Sequence, residues 1–307
     1  MTEDRPNADS PRPGQRDLVG GLLVGLGALL FGSVVVIGRT DTVQAVPVTS
    51  LLAVRFGVAA IILAVILTAG RQSLRPAPGE WLRLLLLGAL GYGVESGLFF
   101  LALGRGTAAT VTLLFYTYPV WVAVLSAVLG LGVPGLLVGG SLVAAVAGSG
   151  LVVASSGGLD ITGPGIAFAL ASAVTISWFL VGMELWVRRT PPLVASMWVA
   201  AGAALGHATF ALSSGGSFPS DGAWLAVIGM GVLTSGAFSL LFLGLRRLGA
   251  VRASIVASLE PVMAAVLALV FLGEALRLGV IGGGALILGG AVAASLARAR
   301  PAPEAGP

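Results

Sequence analysis

The 307-residue chain is 57% hydrophobic and 10% charged, carries a net charge of +4, and contains neither cysteine nor lysine. A soluble domain is about half apolar and a quarter charged, so too little polar surface exists to coat a water-soluble globule, and the mean hydropathy of +1.02 makes the bilayer the natural solvent. Disulfides and thiolate metal sites are excluded, as is a P-loop, which needs a lysine.

Residues 1–17 are polar and proline-rich and read as a disordered cytoplasmic tail. Ten stretches then satisfy the roughly 20 apolar residues that a helix needs to cross a hydrocarbon core. They run over 18–37, 47–69, 81–103, 107–129, 134–154, 163–187, 191–212, 223–245, 250–272 and 278–296. The first is too long for a signal-peptide core and nine more follow, so it is expected to be retained. Residues 297–307 form a second cytoplasmic tail, polar and proline-rich from 301.

Ionisable groups inside these spans are few enough to weigh singly. Arg55 in the second span lies about 12 Å from its nearer end by helical rise, too deep to snorkel with ease. It either binds a substrate carboxylate or pairs with a glutamate to fix packing, and packing is favoured. Glu95 in GYGVESGLFF is about 21 Å into the third span; a site role and a structural hydrogen bond stand level. His207, the single histidine, reads as a satisfied interhelical donor in the seventh span. Glu184 and Arg188, four residues apart at the end of the sixth span, read as a boundary ion pair. Glu274 and Arg277 read as a turn-stabilising pair.

The ninth span contains SLEPVMAAVLALVFLGEAL, where Glu260-Pro261 interrupts an apolar run. Glu260 is about 15 Å deep by helical rise, and an acid there costs about 2.5 to 3.5 kcal/mol on insertion scales. A proton, a partner or cavity water must offset that. Pro261 releases the carbonyl near 257 from its ladder partner, which a membrane helix tolerates only where other groups re-satisfy it. Carboxylate and free acceptor together mark a polar pocket. The alternative is a neutral glutamic acid bonded to a neighbouring helix.

Aromatic residues add Tyr92, Tyr116, Tyr118 and Trp178 as pathway candidates, with lipid-facing packing as the alternative for Trp178. Trp81, Trp186 and Trp224 stand near span ends, as in an interfacial belt.

Arginine placement orients the chain. One set of loops, with both tails, holds Arg5, Arg12, Arg16, Arg71, Arg75, Arg188, Arg189, Arg246, Arg247, Arg298 and Arg300; the other holds Arg39, Arg105 and Arg277. Both termini are therefore expected in the cytoplasm.

A shift of 142 residues sets LALGRGTAATVTLLFYTYPVWVAVL (101–125) on LGLRRLGAVRASIVASLEPVMAAVL (243–267), with nine of 25 positions identical, among them Arg105/Arg247 and Pro119/Pro261. Tyr118 falls opposite Glu260, each just before its proline. Five spans per copy is odd, so the second copy enters the membrane inverted, a recurrent transporter plan.

The segment LEPVMAAVLALVFLGEAL, the ten spans and the five-plus-five repeat resemble the EamA group of the drug/metabolite transporter superfamily. The first half keeps Pro119 in YPVWVAVLSAVLGLGVP but has Gly132 where the family often has a terminal glutamate, and Arg55 is similar to the arginine common in the family's second helix. The resemblance implies an all-α integral membrane fold of ten transmembrane helices in two inverted five-helix repeats (18–154 and 163–296). These would form a basket around a central cavity lined by helices 1, 3, 4, 6, 8 and 9, with 5 and 10 peripheral. It implies a secondary transporter exporting amino acids, other small metabolites or toxic compounds across a bacterial cytoplasmic membrane.

Other classes fit less well. The pI near 10.6 does not signify nucleic acid, since the arginines form no run or stripe. No cofactor, metal or ATPase partner is expected: one histidine and no cysteine leave no usual zinc site, and no G-x-S-x-G elbow occurs. GLGALLFG (25–32) and GGGALILGG (282–290) lie within spans, where glycine serves helix contact. A passive channel would need a continuous polar pore. Proton-coupled export would use a buried acid as carrier, and uncoupled facilitation fits the same residues.

Overall fold

In lipid the backbone has no water to bond, so uninterrupted Leu, Val, Ala and Gly runs close their hydrogen bonds internally as helices. The computed structural model describes residues 13–38, 40–155, 160–213, 222–273 and 277–297. Within them ten helices are long and apolar enough to cross a membrane. They are α1 (Pro13–Gly38), α2 (Val48–Ala69), α3 (Trp81–Leu103), α4 (Thr110–Val128), α5 (Leu136–Ala154), α6 (Gly163–Trp186), α7 (Pro192–Ser213), α8 (Trp224–Leu248), α9 (Ala250–Phe271) and α10 (Leu278–Leu296). A one-turn helix, Asp41–Gln44, joins α1 to α2. Among the described residues the only extended pairing is an isolated bridge between Gly106 and Ile161.

Two local features differ from the sequence expectation, and a third extends the expected break at Glu260-Pro261 to its repeat mate. First, α1 begins at Pro13, inside the stretch expected as a tail; proline suits a first helical turn, where its missing N–H leaves no bond unmade. Second, α3 contains a π-helical segment, Leu87–Gly93, between two α-helical parts. Its glycines let neighbours approach: a Cβ on Gly91 would stand 3.1 Å from the Phe179 ring. Third, α4 and α9 are each interrupted. α4 consists of Ala108–Phe115 and Tyr118–Val128, and α9 of Ala250–Ala257 and Glu260–Leu272. Each boundary up to the proline turn recurs 142 residues later. The proline turn is thus a property of the duplicated unit.

Helix packing obeys the same duplication. Advancing every helix by five converts the α1–α8 contact into α6–α3 and the α4–α6 contact into α9–α1, while α2–α7 and α5–α10 map onto themselves. Each of these contacts is present. Small residues bring the self-mapped pairs close: a Cβ on Gly148 of α5 would fall 2.5 Å from the Gly283 carbonyl of α10. The buried core runs through Phe56, Phe179, Phe238 and Phe242. Large apolar side chains such as Leu22, Ile61, Leu205 and Phe271 face outward, which is costly in water and neutral against acyl chains. Trp81, Trp186 and Trp224 stand at span ends.

Candidate functional site

The interruption of α9 shapes the centre of the molecule. At Ser258 and Leu259 the ladder tightens to three-residue bonds, Ser258 N to Ile255 O (3.3 Å) and Leu259 N to Val256 O (3.1 Å). The same turn occurs in α4, where Thr117 N bonds Leu114 O at 3.2 Å. Side chains brace both turns. The Ser177 hydroxyl of α6 lies within hydrogen-bond distance of the Tyr118 carbonyl (2.9 Å) and of its own helix's Ala173 carbonyl (2.6 Å), and the Tyr118 hydroxyl donates to the Ser254 carbonyl (3.2 Å). The carbonyl expected to need help lay near 257. The acceptor that receives a foreign hydroxyl is Ser254, which also keeps its ladder bond from Ser258 N at 3.2 Å.

Arg55, Glu95 and Glu260 converge from α2, α3 and α9 and lie within one electrostatic neighbourhood, together with Tyr92. Tyr116 and Tyr118 share it, each within electrostatic range of Glu260. The three charged groups are held differently. Glu95 is buried and accepts a hydroxyl at each oxygen, from Ser172 of α6 (3.2 Å) and from Ser96 (3.1 Å). Arg55 donates through Nε to Thr234 Oγ1 of α8 (2.7 Å), and its guanidinium lies 5.0 Å from the centre of the Phe56 ring. Among the described residues Arg55 and Glu260 form no ion pair, and Glu260 has no hydrogen-bond partner. Both keep partial exposure. The Arg55 terminal nitrogens and the Glu260 carboxylate, within electrostatic range of each other, thus carry no hydrogen bond among the described residues.

An aromatic shell supports this group. Tyr92 meets Phe56, Phe179 and Phe238 edge-on, with ring centres 5.5, 5.4 and 4.9 Å apart. His207 stacks on Phe56 at 6.0 Å, and its Nε2 is buried without a hydrogen-bond partner among the described residues. This corrects the satisfied donor expected there: ring stacking fixes the imidazole in an apolar wall. Trp178 is 42% exposed and edge-on to Trp186, with ring centres 5.2 Å apart. Thr234, Ser172 and Ser177 escaped the sequence reading, since an isolated hydroxyl in an apolar span has no periodic signal. The Phe56, Phe179, Phe238 and Phe242 core escaped it too, because phenylalanine is unremarkable in a membrane helix.

A second set of polar contacts closes one end of the bundle. Glu80, just before α3, is 3% exposed; its carboxylate accepts from the amides of Arg188 (3.2 Å), Arg189 (3.1 Å) and Thr190 (2.9 Å) and from the Thr190 hydroxyl (2.6 Å). Burial alone would push this acid upward, but the four donors outweigh it and hold the carboxyl below its ordinary value. Glu184 likewise does not bond the Arg188 guanidinium as expected. Its carboxylate accepts from the Ala250 amide at 2.5 Å, capping the start of α9, while Arg188 Nε turns to the Glu184 carbonyl at 3.4 Å. Gly249, at φ 78°, is the reason: it has no side chain to cap the helix that follows, whereas Thr107 caps its counterpart in α4 by accepting from Thr110 N. Arg277 donates to the Ser155 carbonyl (2.6 Å); Glu274, its expected partner, lies outside the described residues.

Ten apolar spans in two pseudo-symmetric sets of five, with scarce ionisable groups gathered where the sets meet, define a multi-pass membrane transporter of the duplicated kind. The model of the EamA-like transporter family matches residues 18–154 and 163–296. The chain belongs to that family, within the drug/metabolite transporter superfamily. A solved crystal structure of a protein resembles it with a TM-score of 0.76 and 25% identity, over 90% of this chain and 97% of that one. No curated protein matches the sequence.

Proposed function

We propose that the chain is a secondary carrier that exports a small zwitterionic or amphipathic solute, such as an amino acid, by alternating access. The observation that carries this reading is the unpaired juxtaposition of Arg55 and Glu260. Opposite charges left apart in a low-dielectric interior are costly, and a solute with an anionic and a cationic end offsets both. Arg55 would hold the carboxylate through its fork of donors, and Glu260 the ammonium or, in its absence, a proton. Glu95, buried with the Ser172 and Ser96 hydroxyls beside it, would position the wall and not touch solute. Tyr118 and Pro119, with Pro261, would set the turns at which the two repeats flex around a basket-like cavity, and Tyr92 and Tyr116 would line it.

In this reading the repeats span 18–154 and 163–296, the termini lie in the cytoplasm, and the membrane is a bacterial cytoplasmic one. The arginine distribution supports that orientation. Efflux of toxic compounds would use the same groups with a broader solute. Passive conduction is a weaker alternative, because the interior has an apolar aromatic wall in place of a continuous polar pore.

The test is amino-acid flux in proteoliposomes, with and without a pH gradient, for wild type and Glu260→Gln. Loss of gradient dependence in the variant supports Glu260 as the coupling group; loss of flux without any gradient dependence in wild type supports a solute contact alone. Wild-type flux and coupling in the variant would remove Glu260 from the mechanism. Single-channel conductance would replace the carrier reading with a channel.

A further inference from the structure

A cavity of about 350 Å³ opens between the ends of α6 and α8 and the starts of α7 and α9, and four arginines line it against a single carboxylate, Glu184. That carboxylate is already engaged with the Ala250 amide. Arg252 is engaged as well, through Nε to Leu248 O (2.8 Å), through Nη1 to Ala297 O (2.6 Å), and with Asp17 at 3.3 Å. The remaining three are tied more loosely. Arg188 bonds through Nε alone (3.4 Å), Arg246 through Nη1 to the Thr190 carbonyl (2.9 Å), and Arg247 through Nη1 to the Leu243 carbonyl (2.8 Å). Arg246 Nη1 also reaches the Val187 carbonyl at 3.5 Å, and among the described residues the other N–H groups of these three side chains find no acceptor.

Three solvent-exposed guanidiniums with free donors around one open cavity, with the local carboxylate turned to a backbone amide, form a site deficient in negative charge. Guanidinium forks bind planar or tetrahedral oxyanions through paired, charge-assisted hydrogen bonds. We propose that this cavity binds an oxyanion, a carboxylate or phosphate group, with Arg188, Arg246 and Arg247 as its ligands. The site is distinct from the Arg55–Glu260 pair. Phe242 lines the cavity, stacks on Phe238 at 5.6 Å, and Phe238 stacks in turn on Phe56 at 6.0 Å, beneath Arg55. An aromatic wall therefore separates the two, and the oxyanion site stands at the end of the bundle that carries the arginine-rich loops.

Two sources supply this chemistry, a free solute or an anionic lipid headgroup, and one experiment separates them. The full chain is placed in nanodiscs of phosphatidylcholine alone, and binding of radiolabelled inorganic phosphate is measured by equilibrium dialysis at low salt, with no flux involved. Failure here leaves the transport reading untouched, and failure of the flux test leaves this site untouched. Arg188→Gln combined with Arg247→Gln, which spares the Arg246 and Arg252 caps, is expected to weaken phosphate binding at least about tenfold. Glu184→Gln, which removes the competing charge, is expected to tighten it several-fold, a gain that a damaged fold would not give. Retention of phosphatidylglycerol during native mass spectrometry, lost in the double variant and without phosphate binding, would support the site with a lipid headgroup as occupant. Neither phosphate nor phosphatidylglycerol binding, or binding unchanged in the double variant, overturns the proposal.

Discussion

The Tyr118 hydroxyl reaches the Ser254 carbonyl at 3.2 Å, so the residue before one repeat's proline braces the turn before the other's. Removing that hydroxyl leaves the interruption of α9 without its foreign donor. Tyr118→Phe should cost about 1 kcal/mol and raise amide exchange at Ser258 and Leu259, read by hydrogen-exchange mass spectrometry. Exchange unchanged at those two amides would show that the turn stands without Tyr118.

Thr234→Val tests whether Arg55 is held by its hydroxyl partner. The substitution keeps shape but removes the acceptor of the 2.7 Å bond from Nε. A buried charged donor left unmade costs about 1–3 kcal/mol, so the detergent melting temperature should fall while Thr234→Ser stays near wild type. Equal melting of the Val and Ser variants would mean that the cation rests on Phe56 alone.

Glu80 makes stability depend on acid. Its folded-state carboxyl sits below the ordinary value of 4.5, so it binds protons less readily than in the unfolded chain. The stabilisation is therefore fully present above the ordinary value and disappears as pH falls through the lowered one. Melting of wild type between neutral pH and pH 3 should show this loss. Glu80→Gln should melt lower at neutral pH, by about 1–3 kcal/mol for donors left unmade, and the gap to wild type should narrow in acid. A gap constant with pH would refute the ionised clamp.

Close helix crossing gives a fourth expectation. The α5–α10 contact relies on Gly148 lying against the Gly283 backbone, so Gly148→Val must separate the helices. A loss of about 1–3 kcal/mol is expected from overpacking. Gly139→Val, on the same helix with nothing within 4 Å of its built Cβ, is the control and should melt like wild type.

Most of the architecture was legible because hydropathy and proline are coarse signals. The ten spans, the 142-residue repeat and the Glu260-Pro261 interruption all lie in residue types that lipid makes conspicuous, since a charge or a broken ladder in hydrocarbon must be explained. What escaped depended on partners distant in sequence. Glu80 looked like a loop residue, yet its four donors come from Arg188, Arg189 and Thr190, over a hundred positions away. Glu184 had a plausible partner four residues on and chose the Ala250 amide. The π-helical turn of α3 left no mark beyond its glycines. Local spacing fixes which side chains could meet, and only the packed helices decide which do.

The unlike caps at Thr107 and Gly249 give the duplicated molecule two mechanically different corners. The Thr107 side chain caps its own helix, while its amide donates to the Asp160 carbonyl at 2.8 Å, so that corner is tied through backbone to the residues before α6. A glutamate reaching over from α6 can release the start of α9 by swinging aside, without unwinding a turn. Symmetry of the scaffold therefore coexists with one corner tied by backbone to the residues before α6 and one held by a carboxylate from the end of α6.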